Sequence, residues 1–472
     1  MNDLYLENEW ERTEPDLLAY IPQDFAGPGA CNQHFLVVKT PPGTFLGFWT
    51  QSTFENAGDQ RVVFSRSLDR GATWSEPQII DGPQADDAAG TGLASWGFPI
   101  VAPDLLADGG HRVYYIYNKN VGIDDAREDT TGLVRCRFSD DDGRTWSAAT
   151  FDFPIAPSAI SHRDPAVPPN WIVYQNVFVT PEDHVLAPFT RWASNTWDPA
   201  VKLSLNLLEH WSEIYFMRFE NILSERDPNK LIVTTWPQAP HGLQVDNPYR
   251  PGVSVAQEPT VQALSDGRLI CVFRTLHGVN YYALSTDDGR SWDKPRVLRY
   301  EPGGNPILNP MSPSPLYRCH DGRYLLLFYN NDGTANGGKS PIDSKHNRYP
   351  VWLTVGREIA GEKDHPLRFG PPKIFATSNG VLLPNTGGTQ VAVYPSIVDD
   401  GDERILFYPD RKHFLLGKYI TDKWLRDCDP ATNSVRLRPP ITVDAISRSA
   451  AANRPVALTQ KNEPSARPGN VD

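Results

Sequence analysis

Three stretches of the chain share one pattern: "SRSLDRGATW" at Ser65–Trp74, "RFSDDDGRTW" at Arg137–Trp146 and "ALSTDDGRSW" at Ala283–Trp292. Each reads Ser-x-Asp-x-Gly-x-Thr/Ser-Trp. Each follows a strand-like run ("QRVVFSRS", "GLVRCRFS", "VNYYALS") and precedes a second extended stretch ("SEPQII", "SAATFDF", "DKPRVLRY"). The pattern suits a hairpin turn, in which Asp accepts from the turn amides, Gly takes a positive φ and Trp packs beneath. Asp69, Asp141 and Asp287 are therefore expected to hold turns rather than to do chemistry.

The spacing extends the pattern. Ser67 and Ser139 lie 72 residues apart, and Ser139 and Ser285 lie 146 apart, twice 73. A missing copy is expected between the last two, and "SLNLLEHW" offers Ser204, Asn206 and Trp211 at the Ser, Asp and Trp positions. Two eroded turns fall near Gly356 ("VWLTVGREIAG") and at Lys418–Trp424 ("KYITDKW"). A period of about 70 residues with four strands per unit predicts an all-β fold, a β-propeller of four-stranded blades. Six blades are counted, with a seventh only if the termini form one. The division expected is an N-terminal segment over 1–30 that closes the propeller, the propeller over 31–430, and a partly disordered C-terminal segment over 431–472.

Composition agrees. The 472 residues include 43 Pro and 35 Gly, a share suited to many short strands joined by turns. Net charge is −12 and the isoelectric point about 5.4, which argues against a nucleic-acid partner. No apolar run reaches membrane-spanning length, so no membrane partner is expected either. "MNDLYLENEW" has neither a basic nor an apolar leader region, so no signal peptide is read there, and the compartment stays unassigned. The five cysteines (Cys31, Cys136, Cys271, Cys319, Cys428) follow no metal or disulfide spacing and read as buried thiols. The acidic turns have oxygen ligands of the kind calcium takes, but their spacing matches no ligand loop. No metal or cofactor is expected, and the chain is expected to act as a monomer.

The stretches between the turns repeat as well. The first strand of each unit opens on a polar or aromatic cluster: "CNQH" at 31–34, "SWGF" at 95–98, "VYQN" at 173–176, "AQEP" at 256–259, "NPMS" at 309–312 and "VYPS" at 393–396. The second strand ends on a polar side chain: Gln51, Asn118, Arg191, Arg274, Asn330 and Arg411. The offsets match. His34 to Gln51, Tyr174 to Arg191 and Tyr394 to Arg411 each span 17 residues, and Glu258 to Arg274 spans 16. In a propeller the innermost strands start, and the next strands end, at one rim of the central channel. His34, Gln51, Tyr174, Arg191, Glu258, Arg274, Asn330, Tyr394 and Arg411 are therefore expected to converge there, joined by Arg348 from "HNRYPVWL". Clustered arginines fit a carboxylate, because their planar forks bind it bidentately. Trp96, with Trp49, Trp192 and Trp352, is expected to stack on sugar rings. An acidic oligosaccharide or polysaccharide is the expected partner.

The turns, with "QEPTVQALSDGRLICVFR", "NRYPVWLTVGR" and "VYPSIVDDGDERILFYPDR", resemble the sialidase-like propellers with Asp-box (BNR) repeats over roughly residues 30–420. In order along the chain, Glu258, Arg274, Arg348 and Tyr394 match the sialidase pattern. The resemblance implies Tyr394 as nucleophile, Glu258 as its base and the arginines as the grip on the sugar carboxylate. The chain departs from that pattern at His34, which stands where a sialidase carries its first arginine. The acid/base aspartate has no clear counterpart, although Glu55 and Asp59 lie nearby. The histidine-bearing first strand instead resembles propeller enzymes acting on rhamnose linked to glucuronate, as hydrolases or lyases.

Three readings follow. The first is an enzyme removing a terminal sugar, α-L-rhamnose, from a uronate-containing acidic glycan by hydrolysis or β-elimination. In it Arg191 and Arg274 hold the carboxylate, His34 serves as acid or base with a pKa near working pH, and Tyr174 or Tyr394 donates to the leaving oxygen. The second is a divergent exo-α-sialidase with a tyrosine nucleophile. The third is a non-catalytic glycan-binding propeller, which needs the arginines and tryptophans but neither His34 nor Glu258.

Overall fold

Each repeating unit folds into one antiparallel sheet of consecutive strands, and six such sheets make a β-propeller in the computed structural model. It describes residues 8–83, 92–203, 206–238, 240–383, 388–401 and 403–433. Blade 1 holds Cys31–Lys39, Phe45–Ser52, Arg61–Ser67 and Gln78–Asp81. Blade 2 holds Ala94–Ala102, Arg112–Lys119, Leu133–Ser139 and Phe151–Phe153. Blade 3 begins with Trp171–Ile172 and continues through Val185–Trp192, Ser212–Phe219 and Val233–Trp236. Blade 4 holds Gln257–Ala263, Leu269–Arg274, Tyr281–Ser285 and Arg296–Val297. Blade 5 is built on Leu316–Arg318, Tyr324–Phe328 and Val351–Glu358, with Leu367–Phe369 outermost.

Blade 6 has three consecutive strands, Ser396–Asp399, Arg404–Asp410 and Phe414–Tyr419. Its outermost strand comes from the other end of the chain: Leu17–Tyr20 pairs antiparallel with Phe414–Tyr419, Leu17 facing Gly417. This pairing closes the ring at six blades, so the N-terminal segment completes a blade instead of starting a seventh. The C-terminal segment expected to be disordered lies, from residue 434 on, outside the described residues. Among the described residues no helix is long and apolar enough to cross a membrane.

Second strands such as Phe45–Ser52 and Val185–Trp192 are buried along their whole length. They carry a blade on each side, so they read as unbroken apolar runs instead of alternating. The core lies between blades: Phe48, Phe64, Val113 and Tyr115 form one such layer between blades 1 and 2.

The three Asp-box turns join third to fourth strands. In the first, Asp69 accepts from the Thr73 amide at 2.9 Å and hydroxyl at 2.6 Å, Ser67 Oγ accepts from the Gly71 amide, and Trp74 Nε1 donates to Gly71 O. Asp141 and Asp287 repeat these bonds to Thr145 and Ser291. Each tryptophan reaches the preceding blade: Trp74 packs on Phe407, Trp146 on Phe64, and Trp292 stacks on Phe216 at 4.5 Å. The box glycines sit at φ 72–90° against those same neighbours, where a side chain would collide with Phe407, Phe64 or Leu186. The expected copy at "SLNLLEHW" is not a box turn. Trp211 immediately precedes the third strand of blade 3, at the opposite end from the box turns, and its indole donates to Glu213; Ser204 lies outside the described residues. In the box position blade 3 has Asp227, whose carboxylate accepts from the Asn229 amide to cap a 3-10 turn.

Candidate active site

Three first strands break their ladders where they reach the channel, and a fourth, in blade 6, is preceded there by a left-handed residue. His34, Trp96, Glu258 and Tyr394 take φ of 44°, 53°, 50° and 65°, a region that side-chain-bearing residues occupy only when the surroundings hold them there. In blades 1, 2 and 4 this is a bulge, with the pairing slipping between Gln33 and Leu36, Ser95 and Phe98, and Gln257 and Thr260. A bulge re-aims one side chain out of the sheet. The freed amides are taken up by the neighbouring blade: Thr50 Oγ1 accepts from Trp96 N, and Thr190 Oγ1 from Glu258 N. The Phe35 amide donates to Tyr394 O, tying blade 1 to blade 6.

The re-aimed side chains meet. His34 stacks on Trp96 with ring centroids 5.7 Å apart, and Trp96 meets Tyr394 edge-on at 5.7 Å. Tyr174 packs against Tyr394 at 5.3 Å. The Tyr394 hydroxyl donates to Glu258 Oε1 at 2.8 Å. Arg274 Nη1 lies 2.6 Å from the other carboxylate oxygen of Glu258, while its remaining nitrogens donate to Gln257 Oε1. Beneath them, Gln175 and Tyr317 both donate to Pro395 O, and Asn176 reaches across from blade 3 to Val37 O, filling the channel floor.

Burial raises the Tyr394 hydroxyl far above the ordinary phenol range, and the Glu258 charge raises it further, against the opposing pull of Arg274 and Arg348. It is a neutral donor until a base takes its proton. Tyr174 is raised as well, chiefly by burial, and its buried hydroxyl has no hydrogen-bond partner among the described residues. The expectation that His34 titrates near working pH is overturned. Burial pushes it down to about 3, against a weak opposing effect of the Gly97 backbone, so it is a neutral imidazole. Among the described residues no side chain hydrogen-bonds its ring, and the Gly97 backbone is the polar group beside it.

Four expected rim residues do not join this group. Gln51 bonds Asn32 and Arg61. Arg191 donates to Ala156 O and lies over the Tyr215 ring, 4.8 Å from its centroid. Arg411, fully buried, is held by Asp410 and by Glu9 of the N-terminal segment. Asn330 is half-buried, with no hydrogen bond to any of the clustered side chains. The offsets located the strand ends, but side chains alternate faces, and one residue of slip reverses the direction. Of the other tryptophans, Trp49 and Trp192 are core, and Trp352 packs between blades.

The slip at Arg411 hid its neighbour. Lys412, also at positive φ, lies 5.8 Å from the Tyr394 ring centroid and 2.6 Å from Glu55 Oε1. Arg127 and Asp129, which carry no sequence signal, form an ion pair beside Trp96, whose indole donates to Asp129 at 3.1 Å. Asp59 instead holds a turn, accepting from the Thr53 amide and hydroxyl. Arg274, Lys412 and Arg127 each face a carboxylate. Arg348 differs: among the described residues its partners are the neutral Gln390 Oε1 and Met311 O, at 3.0 and 2.8 Å. Away from the channel, Glu182, His184 and Asp288 bring three metal-ligand types together. The Arg218 guanidinium binds both His184 Nδ1 and Asp288 Oδ2, a cation where a metal would sit.

The model of the BNR repeat-like domain matches residues 43–405, spanning the channel and five of the six opening strands. The chain belongs to the BNR repeat-like domain family. A search of the curated proteins finds no match. Among solved structures, this BNR-family chain is similar to NanB sialidase from Streptococcus pneumoniae (12% identity, 87% of this chain and 71% of that one, TM-score 0.55). It is also similar to the Hadza microbial sialidase Hz136 (13% identity, 84% and 66%, TM-score 0.53) and to the intramolecular trans-sialidase from Ruminococcus gnavus (14%, 87% and 98%, TM-score 0.51). The chain thus spans about two thirds of the Hadza protein. At these identities the likeness is one of fold.

Proposed function

We propose that this protein is a retaining exo-glycosidase of sialidase type, acting on a terminal sugar that bears a carboxylate. The observation that carries the reading is the 2.8 Å hydrogen bond from buried Tyr394 to buried Glu258. A nucleophile paired with a base, and the base oriented by a third group, is the arrangement covalent catalysis requires. Here the third group is Arg274. A tyrosine nucleophile is established for sialidases, which stand outside the usual two-carboxylate scheme.

In the first step the Tyr394 oxygen bonds to the anomeric carbon, its proton passes to Glu258, and the glycosidic C–O bond breaks. The leaving oxygen takes a proton from the solvent-accessible side. Water then bonds to the anomeric carbon as the C–O bond to Tyr394 breaks. Tyr394 recovers its proton from Glu258, and the proton the water gives up returns to solvent, balancing the one the leaving oxygen took. Arg348 supports the choice of substrate, because a buried cation without an anionic partner gains most from an incoming carboxylate. Trp96 offers an aromatic edge to the sugar ring.

One observation favours the second reading, an enzyme acting on rhamnose linked to glucuronate: a buried, neutral histidine with no side-chain hydrogen-bond partner among the described residues stands where a sialidase has an arginine. Incubation with sialylated glycans and with rhamnosyl-glucuronate glycans separates the two. The sialidase-type reading expects release of an acidic sugar from the first set, lost in Tyr394→Phe. Cleavage of the second set alone, retained in Tyr394→Phe but lost in His34→Ala, would overturn it.

A further inference from the structure

Glu55 stands on the loop after the second strand of blade 1, with its carboxylate turned into the pocket. About two fifths of its side chain is accessible, so it stands on the solvent side of the buried Lys412. Burial opposes its charge, but Lys412 above all, then Arg127 and Arg348, outweigh that and hold it below the usual carboxylate range. Its charge also acts on Tyr394.

Lys412 has only 4% of its side chain exposed, and its other polar neighbour is Gln33 Oε1 at 3.5 Å. It follows Arg411, and both residues sit at φ 54°. The fully buried Asp410–Arg411 pair, joined by the partly buried Glu9, holds this turn, fixing Lys412 toward Tyr394. A buried ammonium held in a strained turn and aimed at the nucleophile has few structural explanations. Its anionic partner, in contrast, is mobile in principle: a glutamate on an exposed loop beside Phe54, which is 54% exposed.

We infer that the Glu55 carboxylate occupies the place of the substrate's anionic group, and that Lys412 joins Arg348 in binding that group once Glu55 is displaced. This rests on the carboxylated-sugar reading above and adds a specificity residue to it. Lys412 supplies the positive charge that His34 does not. Glu55 makes weak anions compete with an internal one, so the pocket discriminates for ligands that satisfy both cations at once.

The test is calorimetric binding by the intact wild type, Glu55→Gln and Lys412→Gln, each checked for unchanged melting. The probes are sodium N-acetylneuraminate and sodium glucuronate, with glucose as the neutral control. The acid that binds wild type should bind Glu55→Gln about tenfold more tightly and Lys412→Gln about tenfold more weakly, with glucose unaffected. Equal affinity of all three proteins, with binding still weakened in Arg348→Lys, would overturn this inference and leave the functional reading standing. Weaker binding by Glu55→Gln would overturn it too, since Glu55 would then be a ligand-binding group. Failure of every acidic sugar to bind any of the three would remove both.

Discussion

Tyr394, Glu258, Trp96 and His34 come together from four blades, each at a positive φ, so the chemistry sits on residues that the backbone holds in an uncommon conformation. Removing the proton donor or its acceptor should therefore act on rate and not on binding. Tyr394→Phe and Glu258→Gln should each lower kcat by about a hundredfold or more, with substrate dissociation constants little changed. Steady-state kinetics beside calorimetry checks this. Arg348→Lys keeps the charge and loses the planar fork. It should cost about 1.5–3 kcal/mol, about ten- to a hundredfold in kcat/KM, on the free acid. The substrate methyl ester should not distinguish mutant from wild type. His34 and His413 supply a pH prediction. Burial lowers their pKa to about 3 and about 4, from 6.5 when exposed. The folded protein then binds fewer protons than the unfolded chain, so stability falls as pH drops below 6.5, by about 1.4 kcal/mol per pH unit per histidine, until the folded pKa of each is reached at about 3 and about 4. A melting-temperature series in pH should be shallower for His34→Gln. At this scale the sequence was legible where a residue opens a strand: the recurring clusters pointed to His34, Trp96, Tyr174, Glu258 and Tyr394, all of which meet. Where a residue ends a strand, Arg274 joined them but Gln51, Arg191 and Arg411 did not, because the offset sets the position along the strand and says nothing of the face.

Among the elements, the Asp-box hairpin joins one blade to the one before it. Its aspartate holds the turn, its glycine allows close approach, and its tryptophan covers the preceding blade. Asp287→Ala should lower stability by about 0.5–2 kcal/mol, as loss of a side-chain cap does. Turnover per folded molecule should not change, since the box turns lie at the opposite end of the strands from the pocket. Denaturant unfolding and turnover on the same preparation decide this. Three of these hairpins were legible because Gly and Asp are needed for the turn itself. The one assigned to "SLNLLEHW" was misplaced because its Ser, Asn and Trp fit the pattern while Leu208 stands where the turn needs glycine. Blade 3 caps its turn with Asp227 in a different local geometry.

The whole molecule is a ring, and rings need closure. The N-terminal strand Leu17–Tyr20 supplies the last edge of blade 6, with Glu9 reaching Arg411 and Thr13 bonding the Tyr408 hydroxyl. Deleting residues through Tyr20 should lower the melting temperature by several degrees and weaken ligand binding, because Arg411 precedes Lys412. Closure by the N-terminal segment was an expectation from its place in the chain, but the strand it would pair with was not legible: pairing between the two ends of a chain leaves no local pattern, only an unpaired strand at each end. The account as a whole places a tyrosine nucleophile at the centre of this ring. Its most direct measurement is product analysis after incubation of wild type and Tyr394→Phe with sialylated and rhamnosyl-glucuronate glycans, by mass and ultraviolet absorbance. The account predicts a free acidic sugar from wild type, with water added across the bond, no new ultraviolet absorbance and no product from Tyr394→Phe. An unsaturated, absorbing product, or an equal yield from Tyr394→Phe, would contradict it.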